Sequence, residues 1–457
     1  MNHYSYTYEI AVIGGGPSGL AAAITAARAG RKVVLVDKNG YLGGNLALGL
    51  PLLGFLDEYG KPCIAGFAEE FASRLRARGS AYAHRFCPKH NSVTNINAED
   101  AKILAFEMCK EAGVDVLLHL EAHHAEVENG AIKSVTLYGK CNEVVISADI
   151  FMDCTGDGDL ACLAGCSYEK GRQGSGELMP PTVMFTLEGV DDSKLFDYVA
   201  LHPDETTPSC DLVDHKPGYD ADYFRADPNY VFVGMTQLFK RLRAEGKCPV
   251  DRDNMIIING LHKGEVYVNT TRLLHVDGTD VLDLTRGEME GHLQIARLVE
   301  TFRTYVPGFE NCYVSSIAPS IGIRETRRFK GIRTVTVEDA LNAAVPADTI
   351  CLSGYKIDIH KDCKGDTLFK TIEKPFGIPY GSLVSAEISN LFFAGRCASV
   401  DDQVVGSTRI MPCCMSMGQA AGVGAALALE TGEAIADVNV DAVRKELLAQ
   451  NAILAQE

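Results

Sequence analysis

The order of apolar and polar positions divides the chain into a short list of elements. Residues 8–13 are mostly apolar and β-prone, the pattern of a strand buried on both faces. An alanine-rich run to Arg28 predicts a buried helix with Gly30 as its C-cap, and 32–36 returns to a second buried strand ended by Asp37. Next, 46–55 is apolar and glycine-broken, predicting a loop, and 61–78 has a helical pattern. Residues 87–97 predict a loop, and Asn97 or Ala98 starts a helix running to 112, followed by a buried strand at 114–119. Short alternating runs at 123–128, 131–138 and 143–147, the first two joined by Glu128-Asn129-Gly130, predict a meander. A further strand at 150–154 ends it. Downstream, 183–188 and 255–258 predict strands and 293–305 a helix; 390–396 is a short apolar strand ending in Gly-Arg, and 411–431 a helix of small residues.

Glycine spacing turns the first elements into a site. Gly14, Gly16 and Gly19 stand between strand and helix, where the first permits a tight turn, the second lets a pyrophosphate approach the backbone, and the third allows close helix packing. Free N–H groups at the helix start, with Pro17 and Ser18 in its first turn, suit phosphate. Asp37, with Lys38 after it, is placed for ribose hydroxyls and would repel a 2′-phosphate. A second glycine turn, Gly40-Tyr41-Leu42-Gly43-Gly44-Asn45, occupies the place where an NAD domain enters its next helix, and suits a longer ligand. Thr155-Gly156-Asp157 repeats the glycine pattern after a strand, but no second strand ending in an acid follows; a second contact with the same ligand fits better.

Composition narrows the class. The chain has 457 residues, 46% hydrophobic and 23% charged, enough for two or three domains. A net charge of −17 argues against a nucleic-acid surface or an anionic membrane as partner. No apolar run demands a membrane span, and 15 scattered cysteines without C-x-x-C predict reduced thiols in a cytoplasm. No metal is expected: Cys162 and Cys166 would share a helix face but stand alone, and His123 and His124 would point to opposite faces of a strand.

The stretch 8–45 resembles the FAD-binding start of the glutathione-reductase-like flavoproteins. Asn269-Thr270-Thr271-Arg272, Tyr305-Val306-Pro307-Gly308-Phe309-Glu310-Asn311, Arg324-Glu325-Thr326-Arg327-Arg328, Ile378-Pro379-Tyr380-Gly381-Ser382-Leu383-Val384 and Gly406-Ser407-Thr408-Arg409-Ile410-Met411-Pro412-Cys413-Cys414-Met415 follow in an order similar to a bacterial branch of FAD-dependent oxidoreductases. That branch is related to the flavin module of heterodisulfide reductase. The resemblance implies an α/β fold: a Rossmann-like FAD-binding domain of parallel sheet plus β-meander, with an inserted mixed α+β substrate domain. Segments 1–178 and 390–457 would form the FAD domain, 179–318 the substrate domain, and 319–389 a connection reaching the active site.

For FAD, the resemblance adds Gly395, Arg396 and Gly418 to the glycine-turn residues. Arg324 and Arg327 are candidates for catalysis, and Asn269, Arg272, Tyr380 and Arg409 for the substrate, since arginine holds a carboxylate bidentately. Cys414, with Cys413, sits in the first turn of a helix, where a thiol's pKa is expected to fall. His275 is an acid–base candidate by its near-neutral pKa. The expected activity is hydride transfer between flavin and a small organic substrate, with NAD(P)H or a redox partner protein exchanging electrons and the chain forming a homo-oligomer. The alternative is a flavin-bearing electron-transfer protein that works beside an iron–sulfur protein.

Overall fold

The computed structural model describes residues 2–206, 218–360 and 367–456. Its first layer grows from the N-terminal apolar run. In β1 (Asn2–Ile13) the first half is exposed and the second buried. It pairs in parallel with β2 (Val33–Asp37), and α1 (Pro17–Arg28) makes the crossover with Leu20 and Ile24 fully buried. α2 (Phe67–Ala77) starts later than the sequence predicts, because Leu56 and Pro62 first pair as an isolated bridge. α3 (Ala98–Ala112) begins where expected, capped by the Asn97 side chain, which accepts from the N–H groups of Glu99 and Asp100.

β3 (Asp115–Leu118), β4 (Glu121–Glu128), β5 (Ala131–Gly139) and β6 (Asn142–Asp153) complete the sheet in the order β3-β2-β1-β6-β5-β4, with the strand Leu391–Phe393 added to β6. β3 is half exposed rather than buried, since it forms the edge of the sheet. The runs 143–147 and 150–154 prove to be one strand, β6; Ser147-Ala148-Asp149 between them contains neither glycine nor proline to break it. β6 lies parallel to β1 throughout and antiparallel to β5 over its first half, so one strand belongs to both the Rossmann-like layer and the meander.

The stretch 87–97, expected as a loop, contains the strand Asn91–Thr94, which pairs with Leu52–Leu53 and Arg85–Cys87. Its polar residues hide it. Asn91, Ser92, Thr94 and the following Asn95 are all buried, and the Asn95 amide donates to the carbonyls of Tyr230 and Asn259 at 2.9 Å each.

A second sheet gathers β7 (Phe185–Glu188), β8 (Val231–Gly234), β9 (Met255–Asn259), β10 (Val266–Val268) and β11 (Tyr313–Ile317) in the order β8-β9-β10-β7-β11. Phe196, Phe224, Tyr230 and Phe232 make its core with Phe302 from α4 (Val281–Tyr305). α4 begins at Val281 instead of 293, capped by Asp280. Its extra turns escape a periodicity reading because Val281 and Leu282 are 73% and 76% exposed.

β12 (Ile357–His360) reaches the interface between the two sheets, and α5 (Met411–Thr431) closes the fold over α1. A Cβ on Gly418 would lie 2.0 Å from the Ser18 carbonyl oxygen, so these two helices meet backbone to backbone. By length and composition α5 could cross a membrane, but 89% of its apolar window is buried inside the protein. Cys162 lies in a short helix, Asp159–Leu163, that ends before Cys166; among the described residues no three potential ligands cluster, and these two cysteines are free thiols.

Candidate active site

Two adjoining cavities occupy the seam between the first layer and the second sheet. The larger, of 520 Å³, runs from Asp37 and Lys38 past Gly14, Gly16, Pro17 and Ser18 to Gly44 and Asn45, with Thr155, Gly156 and Asp157 opposite. Gly14 holds the turn at φ +103, and a Cβ there would lie 2.4 Å from the Cys154 carbonyl. Gly16, the N-cap of α1, would meet nothing within 4 Å, leaving open space before N–H groups that have no intrahelical partner. The Asp37 carboxylate, only 8% exposed, accepts the N–H groups of Gly15 and Asn39 at 2.7 Å each. Its remaining lone pairs are free for ribose hydroxyls.

The opposite wall is held by a network. Arg396 donates to the Gly156 carbonyl at 2.9 Å, to the Ile323 carbonyl and to the Asp157 carboxylate; Thr326 donates to the same Asp157 oxygen at 2.7 Å. This ties the Gly-Asp turn and the arginine block to the strand Leu391–Phe393. Beneath it Asp153, fully buried, accepts from the Thr155 N–H and hydroxyl and from the Ala161 N–H. Burial pushes this carboxyl up to about 6 against the pull of those bonds.

The second cavity, of 150 Å³, shares Asn45, Ile323, Arg396, Arg409 and Met411 with the first. Its own walls are Thr182, Asn269, Arg324, Asp358 and His360, with an apolar side from Leu50, Leu53 and Met184. β12 alternates: Ile357 and Ile359 are buried in the core at 1% and 3% exposure, so Asp358 and His360 share the other face. One Asp358 oxygen lies 3.2 Å from His360 Nε2, and the other 3.2 Å from Arg409 Nη2. Arg324 Nη1 donates to the Pro180 carbonyl and, at 2.8 Å, to the Thr182 hydroxyl.

Positive charge dominates here. Burial, reinforced by Arg409, Arg252 and Arg272, pushes the Arg324 guanidinium well below its ordinary value. A guanidinium keeps its proton in a protein, so Arg324 remains a cation here, at the cost of its burial and of its cationic neighbours. Burial likewise brings Arg252 down to about 10. Burial works against the Asp358 carboxylate, but His360, Arg409 and Arg324 hold it below the usual range. Burial brings His360 down to about 4 despite Asp358 beside it.

The structure distributes the residues named from sequence unevenly. Arg324, Arg409 and Asn269 converge on the second cavity. Arg327 lines only the first, paired with Asp159 at 2.9 Å. Cys414 also lines the first, but burial raises its pKa instead of the helix start lowering it. Cys413 is raised too, by its contact with the Cys351 thiol and by burial. His275 is exposed and lines neither cavity; its carbonyl accepts from Arg286. Tyr380 is buried away from both, donating to the Ile435 carbonyl at 3.0 Å. Arg272 also stands outside, donating to the Asp251 carbonyl at 3.3 Å, and acts on Arg324 only through its charge.

Gly19 and Gly418 are packing positions that line neither cavity, and Gly395, at φ +98, sits against the Ser18 side chain. Gly43, at φ +109, donates its N–H to the Gly15 carbonyl at 2.8 Å and sets the second glycine turn. Sequence reading missed Asp358, His360, Thr182 and Arg252. A signal for the first two exists in Ile357-Asp358-Ile359-His360, a period-2 strand whose alternate face is ionisable.

The family described as FAD dependent oxidoreductase matches residues 9–447. Digeranylgeranylglycerophospholipid reductase of Methanoculleus marisnigri is 34% identical over 152 residues, 31% of this chain and 36% of that protein. Soluble pyridine nucleotide transhydrogenase of Pseudomonas putida is 52% identical over 40 residues, 9% of each. The chain thus spans about a third or less of these curated relatives. A geranylgeranyl bacteriochlorophyll reductase-like structure from Thermoplasma acidophilum covers 98% of this chain and 85% of its own at 13% identity, with a TM-score of 0.47. The flavin-dependent brominase Bmp2 covers 98% and 84% at 11% identity, with a TM-score of 0.49.

Proposed function

This chain belongs to the FAD-dependent oxidoreductase family, and from that membership we propose that it transfers a hydride between N5 of its flavin and a small organic substrate seated in the second cavity. FAD supplies the two-electron chemistry; the chain supplies orientation and electrostatics. Gly14, Gly16, Pro17 and Ser18 would hold the pyrophosphate, Asp37 the ribose, and Asn45, Gly156 and Asp157 the cofactor's flanks. Met411 and Cys414 line the cavity from the first turn of α5, so the positive end of that helix would face a flavin ring held there and stabilise negative charge on it.

The observation that supports the reading is the wall common to both cavities, Asn45, Ile323, Arg396, Arg409 and Met411, which would bring a substrate beside Arg324 next to the cofactor. At 150 Å³ the second cavity is smaller than the roughly 300–1,000 Å³ of drug-sized sites, which favours a small substrate. The test is anaerobic: the FAD-loaded protein is mixed with 2-hydroxy acids, amino acids and other small alcohols and amines, or, after reduction, with activated alkenes. The reading expects one class to bleach or restore the flavin band. A loaded flavin indifferent to all of them would reject it.

A second reading is favoured by Val281, Leu282, Met289 and Leu293, exposed apolar residues of α4, of which Val281 also lines the first cavity. Such a surface suits a redox partner protein. Co-purification of an iron–sulfur protein, lost when Leu282 and Met289 become lysine, would support it.

A further inference from the structure

We infer that the second cavity is a carboxylate site, built for a small acid that carries a hydroxyl or amino group. The inference deepens the hydride-transfer reading and rests on it for the identity of the cavity as a substrate site.

The charge count comes first. Arg324, Arg396 and Arg409 line the cavity with one carboxylate, Asp358, among the described residues, and Arg396 is already paired with Asp157 outside it. Asp358 is already engaged by Arg409 and His360. Among the described residues no carboxylate lies within ion-pair distance of Arg324, which donates instead to a carbonyl and a hydroxyl, both neutral. Arg252, 7% exposed, lies close enough to act on the charge of Arg324 and has no carboxylate partner among the described residues either. A buried guanidinium in the cavity, Arg324, with a second one, Arg252, beside it and neither paired to a carboxylate of its own among the described residues, is costly to the folded chain. A ligand carboxylate supplies the missing charge in the planar, two-oxygen geometry that a guanidinium fork matches.

Two orphaned polar atoms refine the assignment. Asn269 lines the cavity with a buried side-chain oxygen that has no hydrogen-bond partner among the described residues, and Arg409 buries an Nε–H that has none there. The first requires a donor and the second an acceptor. A carboxylate with a hydroxyl or amino group on a neighbouring carbon offers both within the span of a few atoms. The apolar side formed by Leu50, Leu53 and Met184 then faces the remaining hydrocarbon.

The experiment uses full-length, FAD-loaded protein and reads the ligand-induced difference spectrum of the flavin. Glycolate, lactate and malate are titrated against their uncharged amides and against inorganic phosphate. The inference expects saturable shifts from the acids, at least roughly tenfold weaker binding of the amides, and phosphate weaker than the best acid. Arg324→Leu is expected to weaken the best acid roughly tenfold to hundredfold, and Arg324→Lys to recover only part of it, because an ammonium lacks the fork. Retained flavin in each variant shows that the fold is intact; Asn269→Ala, expected to weaken the hydroxy acids selectively against acetate, serves if the arginine variants do not fold. Equal binding of acids and amides, or a loaded flavin that ignores every acid, overturns the carboxylate site. Phosphate binding as tightly as the best acid also overturns it. Failure of the protein to take up FAD would instead overturn the hydride-transfer reading, which keeps the two failures apart.

Discussion

The two cavities share a wall yet are built differently. In the first, the backbone does most of the recognition and several of the ionised side chains are already paired: Asp37 with the N–H groups of Gly15 and Asn39, Asp157 with Arg396 and Thr326, Arg327 with Asp159. In the second, side chains do the recognition and charge is left over, with Arg324 in its wall and Arg252 behind it lacking a carboxylate among the described residues. A site for a resident cofactor can be stable in itself. A site for a substrate retains polar groups that only the substrate satisfies.

The largest expected effect falls on the backbone-built side. A Cβ at position 19 would lie 1.8 Å from the Gly14 carbonyl oxygen. Gly19→Val is therefore expected to cost more than about 4 kcal/mol and to abolish FAD uptake, as measured by urea unfolding and bound-flavin absorbance. If it binds FAD normally, the claim that this turn has no slack is broken. Next is Arg396→Ala, which strands the Asp157 carboxylate and frees the Gly-Asp turn. It should destabilise by about 3 kcal/mol and weaken FAD.

Arg324→Leu sharpens the comparison because it separates the two costs. Removing a buried cation that lacks a carboxylate should leave stability within about 1 kcal/mol of the parent, even as carboxylate binding is lost. A loss as large as that of Arg396→Ala would show that the second cavity is as self-sufficient as the first.

A further effect is one of pH. Burial lowers His360 to about 4 from its ordinary 6.5 in the setting of Asp358, Arg324, Arg409 and Arg252, so the unfolded chain binds the proton more readily. The associated stability is fully present above about 6.5 and drains away as pH falls toward 4. His360→Asn should flatten that part of the pH–stability curve, measured by denaturant midpoints; an unchanged slope would place the acid sensitivity elsewhere.

The same contrast explains what can be read from sequence. The first cavity is legible because its parts are contiguous: strand, glycine turn, helix and acid follow one another within 8–37, and each residue type is required by local geometry. The second draws Thr182, Arg324, Asp358 and Arg409 from four distant segments, so no spacing announces it. Chemistry and resemblance reach Arg324 and Arg409, whereas His275 and Tyr380, named on the same grounds, lie away from both cavities. The thiol of Cys414 misleads in another way, because the helix start is visible in sequence but the burial that outweighs it is not. The fold is hidden where burial and polarity part company, in the polar strand Asn91–Thr94 and the exposed apolar start of α4.

The central claim is that substrate and cofactor meet across the shared wall. A diffraction structure of the FAD-loaded protein tests it most directly. The account predicts pyrophosphate at the start of α1, adenosine toward Asp37, and the isoalloxazine ring beside Asn45, Arg409 and Met411 with its reactive edge open toward Arg324. A ring seated away from those residues, with the second cavity sealed from it, would contradict the account.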